Sequence, residues 1–269
     1  MKLQWMVTES ITSIASNLAQ VKTEELEAAE EESGAIGKFI QAFEEQISRV
    51  EVADGGMLNI QQPNVAVQVQ SVLADDLMRG LVLSLAGSSL SDLTKSNITI
   101  NAPTQADRDD VIATRPDIIA QVNIPPSILS VISSTTLLSN GSGEYVRVIF
   151  NVFSTPALFI SKSLRTISGD SEVFNRSANS PVISLSIGQG KVAALTEFIN
   201  FTFTTIKSGY VNSVCSFWDE EVEDWSQDGC VLVSGFASSD ERYDKDGVRC
   251  ACNHLTNFAV IMGFEDQTA

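Results

Sequence analysis

A chain of 269 residues, 43% hydrophobic and 19% charged, carries enough apolar side chain to bury a core in one large domain or two modest ones. Asp+Glu 34 against Lys+Arg 17 leaves a net charge of -17, which argues against phosphate-neutralising nucleic-acid binding and against docking on anionic lipid. His254 is the one histidine, so a multi-histidine metal centre within the chain is excluded and any histidine-dependent chemistry must use that residue.

Residues from about 7 to 51 have helical periodicity. Ile11, Ile14, Leu18 and Val21 fall on one face, and Ile36, Phe39, Ile40, Phe43, Ile47 and Val50 do so more clearly. The acidic run between them, Thr23 to Glu32, reads as a solvated helix face, and Ser33-Gly34 as the break between a first helix and a second. After Asp54-Gly55-Gly56 the period changes to two. Val65, Val67 and Val69 alternate, and short β-type runs follow at 81–85, 97–100, 145–153, 182–187 and 198–204. Turn formers separate several of them: Asn140-Gly141-Ser142-Gly143, Ser168-Gly169-Asp170 and Gly188-Gln189-Gly190. Pro125-Pro126-Ser127 ahead of Ile128-Leu129 reads as one helix inserted among the strands. Many short strands with few intervening helices indicate an α+β, mainly β chain: a short helical subdomain (1–54), then an antiparallel β-sandwich (55–269).

The cysteines, Cys215, Cys230, Cys250 and Cys252, all fall near the C-terminal end. A zinc site is disfavoured, because Cys250-x-Cys252 is tighter than usual ligand spacing and no second close pair exists. Two disulfides fit better. A bond within Cys250-Ala251-Cys252 would be strained, which leaves two pairings open. Either ties the region of Cys215 and Cys230 to the strand carrying Cys250 and Cys252, with Trp218 and Trp225 as core residues covering the bridges. Paired cysteines imply an oxidising compartment. Four tripeptides of glycosylation type, at Asn97, Asn140, Asn175 and Asn200, point the same way. The N-terminus has no signal-peptide core, and no apolar run reaches the roughly 18 residues that a membrane span needs. An oxidising address without a leader suggests a fragment of a longer precursor, with a cytosolic protein as the alternative.

His254-Leu255-Thr256 sits between the cysteines and an apolar run. An imidazole beside a hydroxyl is the minimal base-and-nucleophile pair, and the nearest acyl group is the chain's own Leu255 carbonyl. Attack by the Thr256 oxygen would turn that amide into an ester, which water would split. The order C-x-F-W … W-S-x-x-G-C … C-x-C-x-H-L-T-N-F-A-V, from Cys215 to Met262, resembles the GPCR proteolysis site (GPS) of the GAIN domain. Adhesion G-protein-coupled receptors carry this domain, and polycystin-like proteins carry related versions.

The resemblance implies single-turnover autoproteolysis in cis between Leu255 and Thr256, with His254 as base and Thr256 as nucleophile, and no hydrolysis of other substrates. It implies the pairings Cys215–Cys250 and Cys230–Cys252, fragments that stay associated, and no cofactor. The peptide Thr256-Asn257-Phe258-Ala259-Val260-Ile261-Met262 would be the tethered agonist of a following seven-transmembrane domain. An extracellular ligand and, indirectly, a G protein would be the other partners, at the outer face of the plasma membrane. The helical part is shorter than is common in the family, which implies a reduced or trimmed N-terminus. The long charged stretch 238–247 reads as an extended hairpin loop. The competing readings are a GAIN-type module that never cuts and serves adhesion or scaffolding, a polycystin-like ectodomain, a cytosolic zinc module, and a generic disulfide-stapled sandwich. Because a plain amide is a very stable acyl donor, cleavage would require the fold to contribute backbone strain, proximity and a tuned base.

Overall fold

The computed structural model describes residues 2–103, 117–132, 138–139, 144–164, 176–188, 192, 195–234 and 247–264. The expected turns at 140–143 and 168–170, and most of the 238–247 loop, lie outside them.

Three helices open the chain: α1 (Lys2–Leu18), α2 (Thr23–Ser33) and α3 (Ala35–Ser48). The single break expected at Ser33-Gly34 is therefore corrected to two. The chain also turns after Leu18, where Gln20 and Val21 donate back to the Asn17 and Leu18 carbonyls at 3.1 and 3.0 Å. Gly34 does end α2, with a φ of 62° that a glycine adopts without steric cost. Glu30 then caps α3, accepting from the Ile36 and Gly37 amides at 2.9 Å each. One acid of the supposedly solvated run thus has a structural task.

The buried stripe of α3 is Ile36, Ile40, Phe43 and Ile47. At the first helix Ile11, Leu18 and Val21 pack against the helix-side core as the periodicity expects, but Ile14 does not. Ile14 is half exposed, and the buried face is Thr8, Thr12, Ala15 and Ser16. Small hydroxyl side chains serve here because they satisfy themselves on the helix: Thr12 donates to the Thr8 carbonyl at 2.7 Å. Ser16 then accepts from the Asn64 amide at 3.0 Å, fastening α1 to the turn at 62–64 between the first two strands of the sandwich.

The strands are β1 (Met57–Gln61), β2 (Val65–Leu73), β3 (Leu81–Ala86), β4 (Asn97–Asn101), β5 (Ile118–Ile124), β6 (Leu138–Ser139), β7 (Glu144–Phe153), β8 (Arg176–Ala178), β9 (Val182–Ile187), β10 (Ile199–Phe203), β11 (Tyr210–Asp219), β12 (Asp224–Ser226), β13 (Cys230–Ser234), β14 (Val248–Cys252) and β15 (Asn257–Phe264). A short α4 (Ala74–Leu77) follows β2. The helix expected near 125–132 is a single 3₁₀ segment, Pro126–Ser130.

Among the described residues these strands form a 9-stranded sheet, ordered β1-β2-β7-β9-β15-β11-β12 with β6 on β7 and β8 on β15, and a 6-stranded sheet, ordered β13-β14-β10-β5-β3-β4. All described pairings are antiparallel. The mainly β, α+β architecture is that of an antiparallel sandwich with a helical layer.

Two cores follow. Between the sheets lie Leu83, Val122, Phe150, Phe201, Phe258, Val260 and Met262. On the other side of the larger sheet, Phe43 and Ile47 of α3 meet Val67, Phe153, Trp218 and Ala259. The larger sheet is thus covered on both faces. That explains why β2 is buried at nearly every position instead of alternating as a half-solvated strand would. It also places the tryptophans. Trp218 and Trp225 stack edge-on at 5.4 Å and both pack on Phe159, at 5.7 and 5.8 Å, in the helix-side core. The half-cystines Cys215, Cys250 and Cys252 lie in the inter-sheet core, so the tryptophans back the helices rather than cover the bridges.

Candidate functional site

β14 ends at Cys252 in the smaller sheet and β15 begins at Asn257 in the larger one, so residues 253–256 form the crossover between layers. Backbone hydrogen bonds hold it at Asn253, Leu255 and Thr256. The Asn253 amide donates to the Gly229 carbonyl at 3.0 Å, and the Asn253 carbonyl accepts from Leu195 at 2.7 Å. The Leu255 amide donates to the Val192 carbonyl at 3.0 Å, and the Thr256 carbonyl accepts from Leu185 at 3.2 Å.

Two disulfides flank the crossover. Cys230–Cys252 joins directly opposed residues of β13 and β14. Cys215–Cys250 joins β11 of the larger sheet to β14 of the smaller. Cys215 also faces Val260 across the β11–β15 ladder. The chain from Cys250 to Val260 is therefore a loop attached at both ends to one residue.

His254 lies half-buried in this loop. Its ring meets Phe217 edge-on at 4.4 Å and Phe258 at 5.4 Å. Burial pushes its pKa below the ordinary 6.5, which favours the neutral imidazole. Nδ1 lies 3.2 Å from Asn253 Oδ1, and Nε2 is buried with no hydrogen-bond partner. Leu255 is buried, and the Thr256 hydroxyl donates to the Trp218 carbonyl across a long 3.4 Å. His254, Leu255 and Thr256 all line one open cleft of about 690 Å³ between α3 and the larger sheet, bordered by Glu44, Asp219 and Asn257. Asn257 Nδ2 donates to Glu44 Oε1 at 2.7 Å, tying the first residue of β15 to the helical layer.

The imidazole and the hydroxyl thus share a cleft but are not bonded to each other. Among the described residues the positive φ values at non-glycine positions are those of Asn212 and Glu223, neither of them in the crossover. Three neighbours of the site carried no assigned role in the sequence. Phe217 and Gly229 stand inside the motif, but their spacing gives no sign that they touch His254; Asn253 is flagged only by adjacency. Among the described residues no group of three or more His, Cys, Asp or Glu side chains could hold a metal ion. Of the glycosylation-type asparagines, Asn97 on β4 and Asn200 on β10 are exposed, while Asn140 and Asn175 lie outside the described residues.

Residues 77–266 match the family described as GPS: GAIN subdomain B. Latrophilin Cirl of Drosophila mojavensis is 33% identical over 156 residues, which are 49% of this chain and 9% of that protein. Adhesion G protein-coupled receptor L1 of Bos taurus is 30% identical over 148 residues, 50% of this chain and 10% of that protein. The chain thus spans about a tenth of the length of these relatives. The solved full extracellular region of zebrafish Gpr126/Adgrg6 has the same fold, with a TM-score of 0.65 at 19% identity, covering 93% of this chain and 29% of that one. The family match takes in well over half of the residues and contains both disulfides and the His254–Thr256 crossover, so the chain belongs to the GAIN subdomain B family that carries the GPS.

Proposed function

We propose that this chain is the extracellular GAIN/GPS region of an adhesion-type G-protein-coupled receptor and that it cuts itself between Leu255 and Thr256. The observation that carries the reading is that His254, whose Nε2 is buried without a hydrogen-bond partner, and Thr256 line the same cleft, at a crossover pinned by Cys215–Cys250. The hydroxyl leaves its weak bond to Trp218 and its oxygen attacks the Leu255 carbonyl carbon. His254 Nε2 takes the hydroxyl proton and returns it to the departing Thr256 nitrogen as the C–N bond breaks. Water then hydrolyses the ester, leaving a carboxylate on Leu255 and a free amine on Thr256.

Residues 257–262 are each under 5% exposed, in a strand that is interior to the larger sheet. That burial supports fragments that stay associated after the cut. It also supports a tethered agonist, Thr256–Met262, that reaches a seven-transmembrane partner domain only once β15 is drawn out of the sheet. Exposed Asn97 and Asn200 suit a glycosylated extracellular protein. The test is the intact mass of the purified chain under denaturing, non-reducing conditions. Loss of the segment from Thr256 onward is expected, and a single full-length species overturns the reading. One observation favours a second reading, a GAIN module that never cuts and serves adhesion alone: the missing hydroxyl–imidazole hydrogen bond.

A pH dependence follows from the burial of His254. Its pKa in the folded chain lies below 6.5, so the base is neutral at pH 7. The cleavage rate is expected to be flat from neutral pH upward and to fall with acid only once the pH drops through the depressed value, below 6.5. Time courses of fragment release in buffers spanning this range measure it.

A further inference from the structure

We infer that Asn253 is a positioning residue that holds His254 as the Nδ1–H tautomer, so that Nε2 is left with its lone pair free to act as a base. The inference rests on the self-cleavage reading for its purpose but not for its test. A neutral imidazole has one proton to place. Nδ1 has an acceptor, Asn253 Oδ1 at 3.2 Å; Nε2 is buried and has none. A proton on Nε2 would leave a buried N–H without a partner, whereas a proton on Nδ1 makes a hydrogen bond and leaves the lone pair on Nε2. Free histidine prefers the opposite tautomer, so the neighbour has to impose this one.

Asn253 is itself held for the task. Its amide donates to the Gly229 carbonyl, its carbonyl accepts from Leu195, and Cys252 beside it is locked to Cys230. Gly229 supplies the space. A Cβ there would stand 2.2 Å from Asn253 Oδ1 and 3.1 Å from His254 Nδ1, and the glycine has a φ of 76°. The glycine preceding Cys230 thus leaves room for both the asparagine oxygen and the ring nitrogen that faces it. Phe217 and Phe258 pack their rings on the imidazole, and among the described residues the charged groups on the cleft are Glu44 and Glu45 of α3 and Asp219, Glu220 and Glu221 at and beyond the end of β11.

Because His254 is the one histidine, ¹⁵N imidazole spectra report it without assignment. Spectra of the Thr256→Ala chain at pH 8 are expected to show Nδ1 protonated and Nε2 bare. In that background Asn253→Ala is expected to move the proton towards Nε2, and Asn253→Asp to keep it on Nδ1. With Thr256 intact, Asn253→Ala is expected to slow cleavage about tenfold or more, as loss of a histidine's orienting partner commonly does. Asn253→Asp is expected to preserve cleavage but to shift its acid fall-off to higher pH, because a carboxylate beside the ring favours the imidazolium. A proton found on Nε2 in the parent overturns the inference, and so does an Asn253→Ala chain with unchanged tautomer and unchanged rate. A Thr256→Ala chain that holds the Nδ1–H tautomer, beside an unsubstituted chain that never cleaves, supports the positioning role and removes the self-cleavage reading instead.

Discussion

Thr256→Ala is expected to leave the chain in one piece, with no released fragment beginning at position 256. The reason lies in the chemistry of the bond. A peptide amide resists water, and the next residue's own hydroxyl is tethered beside the Leu255 carbonyl by the chain itself. Intramolecular attack is what makes the reaction accessible, since a held near-attack geometry is worth about 7–11 kcal/mol in favourable cases. Deleting the oxygen removes that contribution entirely, whereas Thr256→Ser keeps the oxygen and is expected to cleave. His254→Ala leaves the nucleophile but removes the base, and should slow cleavage by roughly 10²–10⁴-fold. The paired variants separate two roles that a loss of folding would merge, because the alanine and serine chains should be equally folded. Denaturing gels followed over hours measure all three, and a Thr256→Ala chain that still splits at this bond would eliminate Thr256 as nucleophile.

The layering of the molecule explains which parts of it could be read from the chain. β7, β9 and β10 announce themselves because β-branched and aromatic residues dominate them, and their lengths suit strands. β12 and β13 do not. They are short, and Val231, Leu232 and Val233 are exposed on an edge strand, where neither burial nor alternation leaves a mark. The face of α1 was legible in part: Ile11 and Leu18 pack on the core, but Thr8, Thr12 and Ser16 are buried because they bond along the helix and to Asn64, which no apolar periodicity registers.

At the site, the order of cysteines, tryptophans and the His-Leu-Thr triplet named the family. Contacts across the fold stayed hidden. Phe217 and Gly229 lie far from His254 in sequence and meet it only because β11, β13 and β14 converge at the crossover. Residue spacing also left two disulfide pairings open, and only the layer assignment of β11 and β14 distinguishes an inter-sheet bridge from one within a sheet.

That inter-sheet bridge carries the second large effect. The double variant Cys215→Ala/Cys250→Ala is expected to lose about 3–4 kcal/mol of stability, from the closure of a loop of 35 residues in the unfolded chain. Removing both sulfurs avoids a reactive free thiol, and the small side chains leave the two strands room to relax. Cleavage should suffer beyond what stability alone accounts for. Cys215 holds β14 by its sulfur and Val260 of β15 by the strand ladder, so the bridge sets the span across which residues 253–256 cross. Without it the crossover is held by the ladder and by the short backbone bonds to Gly229, Leu195, Val192 and Leu185. Those bonds fix direction, but they do not prevent the sheets from sliding apart at that end. Cys230→Ala/Cys252→Ala makes the comparison, because its bridge spans 22 residues and lies within one sheet. Its loss of stability should be similar, about 3 kcal/mol, with a smaller loss of cleavage in chains that remain folded. Denaturant unfolding gives the first quantity and denaturing mass spectrometry the second. Equal cleavage in both double variants would show that the two sheets keep their spacing without the sulfur link, and that the hydrogen-bonded ladder alone holds the Leu255–Thr256 bond where the hydroxyl can reach it.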